Sequence, residues 1–423
     1  MDTTDAEPGI TVTPLDSGRA ETLRSESVEG YHVGVVESLE QLSTDADGEI
    51  NHKFRIDIRL PEGVRYATGD YLEILPENPR RAVDRVLTRF HQLPDTRVLI
   101  SGASPFLPLN QAVTVSELLG SYVELSTPAG RRHVEALAAR TQCPPERDRL
   151  LALAQPDTYD AEIQGARRSV IDLLEEFPSV DLAFGDYLAM LEPLAPRRYS
   201  ISSSAQRDPE LASLTFSHVQ GDSWSGRGRY EGVAGSFLSR CTPGSAVTVA
   251  VVDGPENFRP EQDVTTPMIL AGAGTGIAPL RAFLEDMALR AESEGVQPGK
   301  SLLFFGCHGP ESDYLYAAEL AQWQDAGLVD VRTAFSRHPE EGIDGEVRHV
   351  QHRLWQDRRE VVEKLRSGSR LAMCGDAERL APAVRATASR ILADADGLSA
   401  DEADRRVEEM EREHFTYISD VFS

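Results

Sequence analysis

The chain has 423 residues and carries 69 acidic against 43 basic side chains, which gives a formal net charge of −26. Apolar residues make up 40% and charged residues 26%, a composition that favours a globular protein of two or three domains over a disordered chain. So acidic a chain repels nucleic-acid phosphates. The sequence also lacks the run of about 18 apolar residues that a membrane span needs, so neither nucleic acid nor membrane is an expected partner.

The cysteines argue against a metal centre. Cys143, Cys241, Cys307 and Cys374 lie far apart, and none forms a C-x-x-C pair. A zinc ribbon or a cysteine-ligated iron–sulfur cluster is therefore not expected. The first 30 residues are polar and acidic rather than basic and then apolar, so no secretory signal is predicted. These features together favour a cytoplasmic protein.

The type of secondary structure changes along the chain. Residues 1–29 are rich in acidic side chains and are predicted to form a flexible lead-in. Strand patterns follow in HVGVVESL, FRIDIRL and DYLEILP, separated by polar turns. Helical periodicity dominates from about 80 to 191, most clearly in ARRSVIDLLEEFP. Strand patterns return from 198 to about 252, so the helices form an insert within a β-rich domain.

After Pro267, short apolar runs alternate with helical segments. The runs are MILAGAG, SLLFFGC, VDVRTAF and RLAMCGD. This alternation predicts βαβ units and a parallel, doubly wound sheet. The predicted architecture is an antiparallel β-barrel over 30–260, with the helical insert at about 80–191, followed by an α/β domain over 261–423.

Three segments are candidates for nucleotide binding. GAGTGIAPLRAF, from Gly272 to Phe283, follows an apolar strand and opens a helix, where glycines and free amides suit a pyrophosphate. RRYSISSS, from Arg197 to Ser204, combines charge, an aromatic ring and hydroxyls, which suits an anionic flavin nucleotide. EGVAGSFL is typical of a tight turn that opens a helix. By itself RRYSISSS is equally compatible with a serine-rich edge strand, and EGVAGSFL is a weak signal. In GAGTGIAPLRAF, the additional Thr275, Gly276 and Pro279 favour a nucleotide site over a plain strand–turn–helix corner.

The ordered set of segments resembles a known family. RRYSISSS, EGVAGSFL, GAGTGIAP, FGCHGPESDYLY, TAFSR, HVQH, MCGD and a C-terminal YxxDVF follow one another as in diflavin reductases, the NADPH–cytochrome P-450 reductase family. Over about 31–423 the chain is most similar to the reductase part of bacterial self-sufficient P-450 fusions. The resemblance implies a ferredoxin reductase-like fold that binds FAD and NADPH.

The resemblance implies FAD contacts in the barrel region. Arg197 would bind the phosphates of FAD, Tyr199 would stack near its ring, and Ser200 would contact it. Further positions lie on the next strand and in the glycine-rich turn that would meet the pyrophosphate. They are Ser217, Val219, Gly232, Val233, Ala234 and Gly235. Gly235 stands where the family usually has a hydroxyl residue, so backbone amides are expected to make that contact.

The resemblance implies NADPH contacts in the C-terminal domain. Thr275, between Gly274 and Gly276, would touch the pyrophosphate. Ser336 and Arg337 would bind the 2′-phosphate, for which a planar guanidinium is well suited. Where the family usually has Lys-x-Tyr-x-Gln, this chain has Val347, Arg348, His349, Val350 and Gln351. Arg348 would then supply the charge of the missing lysine, and His308 stands where an arginine is usual.

The hydride step would take place beside Ser200, Cys374 and Asp420, which match family positions around the nicotinamide and the flavin. Asp376, at the end of the MCGD strand, is expected to contact the nucleotide. Phe422 stands where the family commonly has a tryptophan over the flavin ring. A smaller aromatic lid is predicted to admit nicotinamide more readily and to relax the choice between NADPH and NADH.

The resemblance also implies partners. Family members usually carry an FMN-binding, flavodoxin-like domain before this region, and no FMN site is expected in this chain. Electrons would pass from NADPH through FAD to an FMN domain or protein and on to the haem of a cytochrome P-450. Sulfite reductase or a nitric-oxide-synthase-like acceptor is an alternative. A non-catalytic, acidic binding module on the same fold is a second one.

Overall fold

The computed structural model describes residues 10–15, 30–44, 46, 51–102, 104, 106–226, 229–414 and 416–422. Their strands are β1 Thr11–Pro14, β2 His32–Gln41, β3 Lys53–Arg59, β4 Tyr71–Ile74, β5 Arg97–Ser101, β6 Ala112–Thr114, β7 Arg197–Ser200, β8 Leu211–Ser217, β9 Gln220–Asp222, β10 Arg229–Glu231, β11 Ala246–Val252, β12 Ile269–Ala273, β13 Ser301–Cys307, β14 Val329–Phe335, β15 Glu340–Gly342, β16 Gly345–Val347, β17 Leu371–Asp376 and β18 Tyr417–Phe422.

The helices of the same residues are α1 Arg80–Arg89, α2 Val115–Ser121, α3 Arg131–Ala139, α4 Pro144–Leu153, α5 Pro156–Tyr159, α6 Val170–Glu176, α7 Phe184–Ala189, α8 Val233–Leu238, α9 Ile277–Glu294, α10 Ala317–Asp325, α11 Val350–Gln356, α12 Arg358–Arg366, α13 Leu380–Asp396 and α14 Ala400–Arg412. A π-helical turn spans Asp160–Gly165, and a 3₁₀ turn spans Gly274–Gly276. The chain separates into two compact units. The first comprises Met1–Tyr31, Ile74–Arg197 and Val219–Arg240, and the second comprises His32–Glu73, Arg198–His218 and Cys241–Ser423.

The first unit is mainly helical. Helices α1 to α7 bury one continuous apolar core, to which Val86, Leu118 and Leu173 contribute fully buried side chains. Helix α6 begins at a capping box, in which Ser169 and Asp172 each accept a hydrogen bond from the other's backbone amide. Strands β1, β5 and β6 form an antiparallel sheet in the order β1-β5-β6, and β9 pairs with β10.

Strand β1 corrects the prediction of a flexible lead-in over 1–29. Thr11 pairs with Ser101 and Pro14 with Val98, so this stretch is the edge strand of a sheet. The signal was missed because TVTP is short and because its stability comes from pairing with a strand some 90 residues later. Apart from 10–15, the predicted lead-in lies outside the described residues. The domain boundaries at 29/30 and 260/261 stay predictions.

The second unit contains the predicted antiparallel barrel. Its six strands follow the order β7-β4-β11-β2-β3-β8. The pairs β11 with β2, β2 with β3, and β3 with β8 are antiparallel. An isolated bridge between Ile201, directly after β7, and Leu214 of β8 joins the two ends of the sheet. The strands therefore close on themselves, and β4 and β7 lie side by side within the closed sheet.

The same unit contains the predicted parallel sheet, in the order β14-β13-β12-β17-β18. Successive residues of its strands face different cores: Leu270, Leu303 and Cys374 lie in one, and Ile269, Leu302 and Met373 lie in the other. Both faces are thus buried, as a doubly wound sheet requires. The strand order reverses at β12, so the crevice between the carboxyl ends of β12 and β17 is the switch point where such sheets bind ligands.

Strand β18 is a structural element that the sequence analysis did not predict. It pairs in parallel with β17 at the edge of the sheet, with Asp420 opposite Cys374 and Phe422 opposite Asp376. The pairing brings residues that are 46 positions apart in the chain onto neighbouring strands at the switch-point end of the sheet.

Candidate active site

The glycine-rich turn after β12 allows the chain to pack closely at the switch point. A Cβ on Gly276 would lie 2.4 Å from the carbonyl oxygen of Cys374, and a Cβ on Gly272 would lie 2.8 Å from Leu280. Gly274 has a φ of +53°, which favours glycine. The turn leads directly into α9, so its amides and the helix N-terminus face the carboxyl end of the sheet. This arrangement fits a pyrophosphate.

A cavity of about 510 Å³ opens at the carboxyl ends of β12, β13, β14 and β17. Five residues predicted from the sequence line it: Gly274, Ser336, Arg348, Gln351 and Asp376. Thr275, Gly276 and Arg337 are predicted residues that do not line it. The cavity is large enough for part of a nucleotide. Its lining includes three charged residues that the sequence analysis did not identify, Lys53, Asp313 and Arg379.

Lys53 is a buried cation at this cavity. Its Nζ lies 3.2 Å from the Asp313 carboxylate, and the two side chains are only 8% and 2% exposed. Asp313 also accepts hydrogen bonds from the backbone amides of His308 and Gly309. Lys53 comes from strand β3 of the barrel, so no spacing in the sequence connects it with the nucleotide turn.

Arg348 is tied to the segment that follows β14. Its guanidinium donates to the backbone carbonyl of Ser336 at 2.7 Å and to Glu346 at 2.6 Å. Next to it, burial lowers the pKa of His349, and the neighbouring charges of His352 and Arg348 lower it further. His349 is therefore a neutral ring at pH 7, and Arg348 supplies the positive charge on this side of the cavity.

Asp420 brings together the residues predicted for hydride transfer. Ser200 Oγ donates to Asp420 Oδ2 at 2.8 Å, and Cys374 Sγ lies 4.0 Å from the same oxygen. Tyr71, which the sequence analysis missed, donates its hydroxyl proton to Asp420 Oδ1 at 2.6 Å. No sequence motif marks Tyr71, because its contact with Asp420 depends on β4 lying next to β7 in the barrel.

The electrostatics of this cluster keep its hydrogen-bond donors protonated. Burial raises the pKa of the Cys374 thiol well above its usual range, and the Asp420 carboxylate raises it further. Burial also raises the pKa of Tyr71, as does its hydrogen bond to Asp420. Cys374 is thus a thiol and Tyr71 a phenol at neutral pH, so both present a proton towards the carboxylate.

Two further predicted residues lie at the ends of β17 and β18. Asp376 Oδ1 accepts hydrogen bonds from the amides of Glu378 and Arg379, which fixes the turn before α13. Phe422 is 45% exposed, and its carbonyl oxygen accepts a hydrogen bond from Ala377. Its backbone is held while its ring remains accessible to a planar ligand.

Strands β7 and β8 of the barrel carry residues predicted to bind the flavin, among them Tyr199, Ser200 and Ser217. Tyr199 lies on β7, with its ring 6.4 Å from Phe216 in an edge-on arrangement. Ser217 ends β8 and pairs with Lys53 of β3. Phe216 in turn stacks on Phe54. Tyr199 is therefore set in a small aromatic cluster next to Ser200.

The first unit carries the other predicted FAD residues. Gly232 is the N-cap of α8, which contains Val233, Ala234 and Gly235, and its amide donates to the carbonyl of Val219. Arg197 bonds to Glu124 at 3.1 Å and to the carbonyl of Ala195 at 2.7 Å, and its side chain is 40% exposed. These residues fit a phosphate through backbone amides and a partly exposed guanidinium.

Arg167, in the same unit, is a candidate binding residue that the sequence analysis did not identify. It has a φ of +48°, unusual for arginine, and its guanidinium lies 5.7 Å from the Tyr230 ring and 6.0 Å from the Trp224 ring. It lines a cavity of about 70 Å³ together with Tyr230 and Glu231. Trp224, in GDSWSG, is 71% exposed, which leaves a large aromatic face open beside a cation.

Comparisons with known proteins bear on the identity of both units. A family model described as "FAD binding domain" matches residues 26–237, half of the chain. A second model, "Oxidoreductase NAD-binding domain", matches residues 270–386. The chain belongs to the FAD-binding oxidoreductase family that these two domains define. The predictions of this fold, of FAD and of a nicotinamide dinucleotide are thereby confirmed.

Curated relatives of this flavoprotein include bifunctional proteins that are named as both cytochrome P-450 and NADPH–P-450 reductase. It is 35% identical over 90% of its length to Bifunctional cytochrome P-450/NADPH–P-450 reductase 2 of Bacillus subtilis and covers 36% of that protein. It is 43% identical over 77% of its length to a Bifunctional cytochrome P-450/NADPH–P-450 reductase of Fusarium oxysporum, of which it covers 30%. A self-sufficient cytochrome P-450 monooxygenase of Oidiodendron maius is 35% identical over 99% of the chain and is covered to 38%. The flavoprotein thus spans about a third of these relatives and matches their reductase part.

Neither a metal site nor a membrane span is present among the described residues. No cluster of three or more histidine, cysteine, aspartate or glutamate side chains among them has an arrangement that could hold a metal ion. None of the helices in this part of the chain combines the length and the apolar run that crossing a bilayer requires.

Proposed function

We propose that this chain catalyses hydride transfer from NADPH to FAD and then passes electrons one at a time to an FMN-binding, flavodoxin-like domain or protein. From there they would reach the haem of a cytochrome P-450. When bound, NADPH supplies a hydride, and FAD accepts the electron pair and releases single electrons. The observation that carries the proposal is the convergence of Ser200, Cys374 and Asp420 at the switch point. The relatives, which are named as fusions of a cytochrome P-450 with its reductase, support the choice of acceptor.

The cluster suits hydride transfer because Asp420 would supply a negative charge near the nicotinamide ring, which becomes positive when it gives up the hydride. Asp420 would stabilise the cationic nicotinamide as it forms, and Ser200 and the Cys374 thiol would orient the ring without competing as nucleophiles. Phe422, whose ring is exposed, would cover the flavin until the nicotinamide displaces it. The aromatic side chain would also keep water from the reacting faces.

The cavity beside the turn suits the rest of NADPH. The amides from Gly274 to Gly276, with Thr275, would bind the pyrophosphate. Ser336, Arg337 and Arg348 would bind the 2′-phosphate, Gln351 and Asp376 would complete the lining, and Lys53 would add positive charge to the same cavity. For FAD, the proposed contacts of the second unit are Tyr199, Ser200 and Ser217.

In the first unit, the FAD phosphates would be bound by Arg197 and by the amides of Gly232, Val233, Ala234 and Gly235. Val219 would contribute its backbone, since its carbonyl already holds Gly232. We add Arg167, because a guanidinium held beside Tyr230 and Trp224 offers both charge and stacking to a dinucleotide. The cytoplasmic location expected from the sequence stays a prediction.

Anaerobic stopped-flow absorbance of the FAD-loaded chain tests the proposal. We expect NADPH to bleach the flavin band, and to do so faster than NADH because Ser336, Arg337 and Arg348 recognise the 2′-phosphate. We also expect rapid reduction of ferricyanide, and slow reduction of cytochrome c until an FMN protein is added. An FAD-loaded chain that neither nucleotide bleaches would contradict the proposal and favour the non-catalytic alternative. Fast cytochrome c reduction by the chain alone would contradict the need for an FMN partner.

A further inference from the structure

Tyr71 contacts the carboxylate at the centre of the candidate active site from a direction that neither the sequence motifs nor the comparisons indicate. It lies on β4, and its hydroxyl is 2.6 Å from Asp420 Oδ1. Ser200 occupies the other carboxylate oxygen at 2.8 Å. Two hydroxyl donors, one on each oxygen, fix both the position and the plane of the carboxylate, whereas one donor would leave it free to rotate.

The Tyr71 ring also contacts a guanidinium that is itself held in place. The Arg198 guanidinium lies 5.5 Å from the ring centroid, and Arg198 makes an ion pair with Glu73 at 2.7 Å. Tyr71 and Glu73 are on β4 and Arg198 is on β7, so neighbouring barrel strands fix this arrangement. A ring packed in this way needs little reorganisation to hold its hydroxyl at the carboxylate.

Asp420 needs such an anchor because of where it lies. It is on β18, an edge strand of the parallel sheet, and the residues that follow it, Val421 and Phe422, are 47% and 45% exposed. Backbone pairing with β17 fixes the Cα of Asp420 but not the rotation of its side chain. Tyr71 and Ser200, both on the barrel, supply the constraint that the edge strand lacks.

We propose that Tyr71 is a positioning residue for hydride transfer, which acts by holding the Asp420 carboxylate beside Cys374. This inference rests on the proposed function, since it assigns a task to a residue of the same site. Tyr71 neither donates nor accepts the hydride. Its hydroxyl stays protonated and removes the rotational freedom of the carboxylate before the nicotinamide arrives, which is a contribution of preorganisation.

The test is Tyr71→Phe in the full, FAD-loaded chain, a change that removes one oxygen atom. Anaerobic stopped-flow absorbance would follow flavin bleaching by NADPH and by NADPH deuterated at the transferred position. We expect the rate constant at saturating NADPH to fall about tenfold, the size expected for loss of one hydrogen bond to a charged group. We expect a larger deuterium isotope effect, with unchanged NADPH affinity and FAD content.

Tyr66→Phe is the matched control. Tyr66 is a buried tyrosine of the same unit whose hydroxyl is 2.7 Å from Ser203 Oγ and donates to the Leu211 carbonyl at 3.3 Å. Its variant therefore loses one oxygen and the hydrogen bonds of that oxygen, all of them away from Asp420. We expect its bleaching rate and isotope effect to equal those of the wild type. The wild-type traces report on the proposed function separately: if they show no bleaching, the proposed reaction fails before Tyr71 is tested.

A double-mutant cycle decides whether Tyr71 acts through Asp420. If it does, Tyr71→Phe slows Asp420→Asn no further, because the group it positions is already gone. Additive losses in the double variant would overturn the inference. So would an unchanged rate and isotope effect in Tyr71→Phe, or loss of FAD from that variant, because a positioning role leaves FAD bound.

Discussion

Cys374 shows how its surroundings decide what a residue can do. A cysteine beside a carboxylate and nearly free of solvent is a thiol, not a thiolate, because burial and the negative charge of Asp420 both oppose ionisation. The residue is therefore a hydrogen-bond donor and not an ionised nucleophile, which agrees with the proposed role of orienting the nicotinamide. This environment could not be read from MCGD, since the carboxylate comes from β18.

The raised pKa of Cys374 predicts a flat pH dependence. A thiol whose pKa is raised stays neutral up to a higher pH, so no thiol ionisation should alter flavin bleaching between about pH 7 and pH 9. Cys374→Ala should lower the bleaching rate about tenfold to a hundredfold, as for loss of a preorganised donor, and keep the same pH profile. Stopped-flow rates across this range would check it. A fall in the wild-type rate near pH 8 that Cys374→Ala abolishes would show that the thiol ionises.

Lys53 gives a second prediction at the residue scale. Lys53→Met should weaken NADP⁺ binding about tenfold, and NAD⁺ binding less, because NADP⁺ carries the additional phosphate charge. The single variant also leaves the buried Asp313 carboxylate without its ion-pair partner, which would itself repel a nucleotide. Equilibrium titration of the double variant Lys53→Met with Asp313→Asn separates the two effects. Full recovery of affinity in the double variant would mean that Lys53 only neutralises Asp313.

At the element scale, the sequence predicted regular elements well where each strand or helix carries its own pattern. Strands β12, β13, β14 and β17 lie within the apolar runs that predicted them, because both faces of the parallel sheet are buried. Strands β1 and β18 were missed for one reason. Each lies at the edge of its sheet, so its stability comes from a partner strand that local periodicity cannot reveal.

The candidate site was predictable to a similar extent. The order of the family motifs pointed to Ser200, Cys374 and Asp420. In the structure the side chains of Ser200 and Cys374 both lie at the Asp420 carboxylate. Tyr71, Lys53 and Arg167 carry no motif signal. Two of them reach their positions only through the barrel, and Arg167 depends on a left-handed backbone that arginine rarely adopts.

The close packing of the turn between β12 and α9 leads us to expect that a single added methyl group, in Gly276→Ala, destabilises the protein. Gly276 has an ordinary helical φ of −62°, so alanine there is unstrained in its backbone, but its Cβ would lie 2.4 Å from the Cys374 carbonyl oxygen. Gly276→Ala should therefore lower the free energy of unfolding by about 1–3 kcal/mol and weaken nucleotide binding. Denaturant unfolding and NADP⁺ titration would measure both.

Gly120→Ala is the control for this prediction. Gly120 lies in helix α2 and a Cβ there would meet no atom within 4 Å, so the exchange should leave stability equal or slightly higher. Equal unfolding free energies for Gly276→Ala and the wild type would show that the turn can move away from β17.

At the scale of the whole molecule, the net charge of −26 governs encounters with electron acceptors. Ferricyanide is an anion, so the chain and this acceptor repel each other and salt screens the repulsion. The rate of ferricyanide reduction should therefore rise as ionic strength increases from about 10 to about 200 mM. A neutral quinone acceptor serves as the control and should show little change. A ferricyanide rate that falls with salt would indicate that a local basic surface, not the total charge, receives the acceptor.

The position of β18 has a consequence for anyone who prepares this protein. Its neighbour in the described sheet, β17, and both intervening helices precede it, so a chain cut between Arg412 and Tyr417 would keep the barrel, the nucleotide turn and Cys374. Such a clipped chain would lack Asp420 and yet is expected to be yellow and to bind to a nucleotide column. Colour and affinity purification would then overestimate the active fraction, whereas intact mass, or the count of flavins that NADPH bleaches, would report it correctly.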